Sequence, residues 1–133
     1  MNKAKVDRML PFAYQAIIDT GIRENDGSVQ KTFRGQVSTF GASVSMGSLL
    51  AAIAFFSDKG GADVDRRKIL DAIFHVLRSD AVIPGANESL YSWAKKEVAA
   101  GREATCKDDI IHAAIAVKLA MNLFPLREKE KAR

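Results

Sequence analysis

The sequence predicts an all-α protein, a compact single-domain bundle of about five helices packed around a central uncharged helix. Three observations carry this expectation. Apolar residues recur at i, i+3, i+4 and i+7 in separate stretches, and no stretch alternates strictly enough for a strand. Glycine and proline punctuate the intervals between them. Residues 35–57 (GQVSTFGASVSMGSLLAAIAFFS) carry no charged side chain, although the rest of the chain is dense with charge. With 133 residues, of which 47% are hydrophobic, the chain is expected to form one domain over 1–133 with a substantial core.

The first helix is expected from near Lys3 to Thr20, with Val6, Met9, Leu10, Ala13, Ala16 and Ile17 on one stripe and Gly21 as its C-terminal stop. Pro11 lies inside it, so a kink is the alternative to a later start. A polar loop with Asp26-Gly27 turn chemistry follows. The central helix is expected from Gln30 until Lys59-Gly60-Gly61 breaks it. Its apolar residues, among them Val37, Phe40, Met46, Leu50 and Phe56, point in nearly every direction, which predicts that other helices surround it. The run is long enough for a membrane span, but its serines and glycines make that the lesser reading.

Asp63 or Asp65 is expected to cap the next helix, which buries Ile69, Leu70, Ile73, Phe74 and Leu77. Asn87 is expected to cap a short helix running to about Ala100, closed by Gly101. The last helix is expected to open on Thr105-Cys106-Lys107-Asp108 as a capping box and to end or bend before Pro125, leaving a charged, frayed tail. The N-terminus is basic with only a short apolar stretch, so no targeting peptide is expected, and the single Cys106 needs no oxidising compartment. A cytoplasmic location without membrane contact is the expectation.

No constellation for chemistry stands out. His75 and His112 each sit in an apolar helical stripe without a Cys or Glu at ligand spacing. Asp63, Asp65, Asp108 and Asp109 fall where negative charge favours a helix start. Cys106 reads as structural, and Trp93 with Phe55-Phe56 as core or interface aromatics, with base stacking as the lesser reading. Gly35, Gly41 and Gly47 fit close helix packing better than a phosphate loop, because no strand precedes them and no Lys-Ser/Thr follows. No catalytic residue, metal or cofactor is therefore expected. The net charge of +4 is concentrated in the two end segments, which suits a phosphate backbone as partner.

The stretch KTFRGQVSTFGASVSMGSLLAAIAFFSDKG, followed by DDIIHAAIAVKLAMNLF, resembles the small helical subunit of type III-B CRISPR RNA-guided effector complexes, the Cmr complex. The matching features are Phe33-Arg34 at a basic, aromatic helix start, the small-residue break within Gly41 to Leu50, and the Ala54-Phe55-Phe56-Ser57-Asp58-Lys59 ending. The chain departs from the family in lacking a proline in its serine-rich Ser38 to Ser48 stretch, and in showing Val117-Lys118-Leu119 where the family has a tryptophan followed by Leu-Lys-Arg. The resemblance implies a non-catalytic assembly subunit that stacks in copies beside the backbone subunit and helps form the groove where crRNA pairs with target RNA. Its phosphate contacts are then expected at Lys31 and Arg34, followed by Lys59, Arg66, Arg67, Lys3, Lys5 and Arg8, since basic side chains hold phosphates without reading bases. A small subunit of a type III-A or type I complex is the alternative. A helical protein-interaction module without nucleic-acid contact is the other.

Overall fold

The computed structural model describes residues 1–128 and is an all-α bundle, as the periodicity predicts. Its helices are α1 (Lys3–Asp19), α2 (Lys31–Met46), α3 (Leu49–Phe56), α4 (Arg67–Ser79), α5 (Leu90–Ala99) and α6 (Glu103–Met121). One apolar cluster draws side chains from all six. Among the described residues no helix is long and apolar enough to cross a membrane.

The centre of the bundle is α6, not the uncharged run. It packs against α1, α2, α4 and α5, and its buried residues Ile110, Ala113, Ala116, Val117 and Ala120 are accompanied by His112 and Met121 around more than half of its circumference. Small side chains at Ala113, Ala114, Ala116 and Ala120 let four helices come close. The uncharged run instead folds as two helices broken at Gly47-Ser48, where Ser48 caps α3 by accepting from the Ala51 N–H at 3.3 Å. In α2 a single stripe of Phe33, Val37, Phe40 and Val44 is buried, while Gly35, Ser38, Thr39, Ala42 and Ser45 face water. The physical reason is that a face without charge need not be a buried face. Serine and threonine are mostly exposed residues in their own right.

Helix α1 starts where expected, capped by Asn2 Oδ1 accepting from the Lys5 N–H at 3.1 Å. Pro11 stays inside it because both Pro11 and Asp7, whose carbonyl loses its intrahelical donor, lie on the exposed side. Gly21 ends the helix with φ +78, a left-handed conformation that favours glycine. Two residues on each side form a short parallel pair that periodicity could not reveal: β1 (Val29–Gln30) against β2 (Leu126–Arg127), in the register Val29 to Leu126. This clip ties the start of the expected frayed tail to the entrance of α2. Residues 129–133 of that tail lie outside the described residues.

Of the three expected caps, α4 uses one of its two candidates and the other two differ. Asp65 accepts from the Arg67 N–H at 3.0 Å at the start of α4, whereas Asp63 faces Thr32 Oγ1 at 3.5 Å. Helix α5 is capped by a reciprocal Ser89/Ser92 box, while Asn87 is buried behind it. Helix α6 begins at Glu103, so Thr105 to Asp108 lies within its first turns and forms no box. The three spaced glycines are likewise not packing sites. A Cβ at Gly35 or Gly41 would meet nothing within 4 Å, and at Gly47 it would meet only Ser43 O at 3.0 Å.

Gly41→Ala should raise unfolding free energy by about 0.5–1 kcal/mol, because it lowers backbone entropy in an open helical position. Ala116→Leu, fully buried on α6, should lower it by about 1–3 kcal/mol through overpacking. Urea denaturation followed by circular dichroism measures both.

Candidate nucleic-acid interface

The eight basic residues expected at phosphates divide into those that hold carboxylates and those that do not. On α1, Lys5 Nζ donates to Asp108 at 2.8 Å and also to Asp109 of α6. Burial opposes the Lys5 charge, but the bonds to the two aspartates outweigh it and raise its pKa. The Asp108 carboxyl is held below its ordinary range chiefly by the Lys5 hydrogen bond. Arg8 clasps Asp80 through Nε and Nη2, both at 2.9 Å. Beside them the Asn2 N–H donates to His112 Nε2 at 3.0 Å, and His112 Nδ1 lies 2.7 Å from the Asp108 carbonyl, which places the ring proton on Nδ1. The Lys5 and Asn2 contacts staple the start of α1 to the first half of α6, and Arg8 ties α1 to the end of α4. Lys3 is exposed and holds no carboxylate among the described residues.

Lys31 and Arg34 are not adjacent to the other candidates. Lys31 Nζ pairs with Glu128 at 3.0 Å. Arg34 is half-buried, and its Nε is enclosed without a partner. It lies about 160° around α2 from Gln36, so α2 separates it from the face where Lys59 and Arg66 meet. Arg67 forms a two-pronged bond to Asp65 at 2.7 and 3.0 Å.

Lys59 and Arg66 come together beside α2. Arg66 Nε donates to the Asp58 carbonyl at 2.9 Å and Nη2 to the Phe55 carbonyl at 2.7 Å, which lays the guanidinium over the Phe55 ring at 4.3 Å from its centroid. Gly60 is required there twice: its φ is +78, and a Cβ would come within 3.1 Å of the Arg66 guanidinium carbon. With Thr32, Gly35, Gln36 and Thr39 of α2, these residues line a shallow groove of about 440 Å³. Gln36 Oε1 is enclosed there without a hydrogen-bond partner. A second groove of about 650 Å³ continues past Thr39 and Phe55 to Met46, Ser48 and Ala51, and at its end Lys107 Nζ donates to the Gly47 carbonyl at 3.1 Å. No carboxylate lines either groove.

Phe55 was legible in the sequence only as one of an aromatic pair. Adjacent residues on a helix point about 100° apart, so at most one of Phe55 and Phe56 can face the core squarely. The structure buries Phe56 and leaves Phe55 63% exposed.

A larger groove, about 710 Å³, lies elsewhere and mixes Arg67 and Arg78 with Asp71 and Glu88. Burial, and then the nearby Asp65 charge, push the Asp71 carboxyl pKa up. On its wall His75 Nε2 is 3.0 Å from Asp19 Oδ2 and Ser79 Oγ is 3.5 Å from His75 Nδ1. The serine contact is at the outer limit of a hydrogen bond and joins two residues one turn apart on an exposed face of α4. Among the described residues no group of three or more His, Cys, Asp or Glu side chains converges as a metal site. Comparison with protein-family models, curated proteins and solved structures finds no match.

Cys106 is buried on α6, and burial, followed by the charges of Glu97, Asp109 and Glu103, pushes its thiol pKa up to about 12. A disulfide reagent at pH 8 should therefore leave the folded chain unlabelled over minutes and label it at once in denaturant, as thiolate absorbance reports.

Proposed function

We propose that this chain is a non-catalytic small subunit of an RNA-guided effector complex of the type III-B CRISPR kind, repeated beside the backbone subunit along paired crRNA and target RNA. The resemblance of residues 31–60 and 108–124 suggests the complex. The geometric observation that carries RNA contact is the pair of continuous grooves on α2 and α3, flanked by Lys59, Arg66 and Lys107 and lined by no carboxylate. A phosphate approaching there meets Lys59 and Arg66 on the groove wall, while the nearest carboxylates, Asp58 and Asp63, are held at its rim by the Gly60 N–H and by Thr32 Oγ1. Lys5, Arg8 and Arg67 differ, since each already neutralises a carboxylate. One chain offers only a few such contacts, so useful affinity comes from repetition along a strand.

A specific observation also favours protein contact. Leu123, at 61% exposure, and Leu119, at 43%, are large apolar side chains left in water. Stacked copies and a backbone subunit would cover surfaces of this kind, which fits assembly as part of the same function.

The test is Lys59→Glu in a complex reconstituted with its backbone subunits and guide. Binding of target RNA should weaken to a similar degree for unrelated guide and target pairs, because phosphates carry no sequence information. The salt slope of log affinity should fall by about 0.7 for each lost single-strand contact. Normal assembly with unchanged affinity and slope would remove this face from the RNA path.

A further inference from the structure

Phe55 stands between the two grooves and borders both. One face of its ring lies under the Arg66 guanidinium, so its large exposure comes from the other face and the ring edge. That free side borders the groove whose far wall is Met46. The ring is held in place rather than left to rotate into the core. Arg66 is fixed behind it by two carbonyls and by the space that Gly60 leaves, and Phe56 meets it edge-on with centroids 5.9 Å apart.

Three properties of this place select its ligand. A rigid aromatic face, with a thioether opposite, suits a flat unsaturated ring. The hydroxyl groups of Thr39, Ser43 and Ser48 border the same groove and offer donors and acceptors to a polar ring edge. Lys107 lies at the start of α3 and Lys59 beyond its end, so cations bracket an eight-residue helix about 12 Å long. An apolar protein side chain would use the ring but neither lysine, whereas a nucleotide strand uses all three.

We propose that the groove between Met46 and Phe55 takes an unpaired base of single-stranded RNA, stacked on the free face of Phe55 with flanking phosphates at Lys59 and Lys107. This deepens the RNA-contact reading and rests on it. Stacking of this kind tolerates any base, because every base has a π face.

The experiment titrates the full chain with two labelled probes, a short oligouridylate and an abasic ribose-phosphate oligomer of equal length, by fluorescence anisotropy at low salt. Oligouridylate should bind more tightly than the abasic oligomer. Phe55→Leu should weaken oligouridylate binding by about 5- to 100-fold, while Phe55→Trp retains it. Neither variant should alter abasic binding or the salt slope. Met46→Ala, at a position 87% exposed, removes the opposite wall without a folding risk and should also weaken oligouridylate alone. If Phe55→Leu and Met46→Ala bind both probes as the parent does, the stacking site is wrong. If abasic binding remains salt-dependent and falls in Lys59→Glu, the phosphate reading survives that failure. A parent chain that binds neither probe overturns the stacking site, and the phosphate reading is then decided by Lys59→Glu in the assembled complex. A Phe55→Leu change that shifts sedimentation of the free chain but leaves RNA binding unchanged would instead make the groove an interface between copies.

Discussion

The close approach that small side chains on α6 permit is the constraint on which the bundle depends. Ala113, Ala114, Ala116 and Ala120 present little more than backbone to their surroundings, so α1, α2, α4 and α5 can all settle against one helix. Close packing of this density leaves no tolerance for polar atoms without partners. His112, buried on the same helix, therefore has both ring nitrogens engaged, one by the Asn2 N–H and one by the Asp108 carbonyl. The chain's first residues are thus fixed by a histidine more than a hundred positions later, and Lys5 with Asp108 and Asp109 reinforces the same corner.

That corner explains why a basic N-terminal segment is not automatically a phosphate-binding segment. A cation already bonded to a carboxylate must leave it before gripping a phosphate, exchanging one anion for another and stranding the first. For Arg8 the stranded partner, Asp80, has a side chain only 7% exposed, so it would lose its counter-charge with little water to replace it. Lys59 carries no such debt among the described residues. Arg66 bonds only carbonyl oxygens through two of its nitrogens, and its charge stays uncompensated by any carboxylate in its groove. Charge counted along the sequence located excess cations at the ends; charge counted after pairing moves the emphasis to the α2–α3 face.

Much of the fold was legible because helical periodicity is local. Helix α1 begins and ends close to expectation and α4 begins just after Asp65, with Gly21 and Gly60 in left-handed conformations at the expected breaks. The bundle's centre is not legible in the sequence because absence of charge resembles a mark of burial, while the alanine pattern of α6 also carries His112 and a flank of charge that make it look amphipathic. The β1–β2 clip is two residues long on each side, too short for any alternation to register. Caps depend on which of several nearby polar residues reaches the first free N–H, and Ser89 won over Asn87 by a displacement of two residues. Of the candidate site, Lys59 and Arg66 are legible as cations, but their meeting with Phe55 and Gln36 depends on how α2 lies against the α3–α4 loop, which no single window of sequence encodes.

The outer face of α2 supplies the remaining step. A free-standing protein gains solubility from charged, mixed surfaces, yet from Gly35 to Ser57 the chain places none, even at positions that face water. Ser43 Oγ even bonds back to the Thr39 carbonyl at 2.8 Å, an arrangement that slightly weakens a helix. A carboxylate at any of these positions would repel a polyanion, and a run of lysines would repel a like-charged neighbouring copy. Neutral hydroxyl and methyl groups repel neither. On the proposed reading, α2 and α3 therefore leave their charge to the margins, at Lys59, Arg66 and Lys107, so that the same surface can lie against a strand and a second subunit without excluding either.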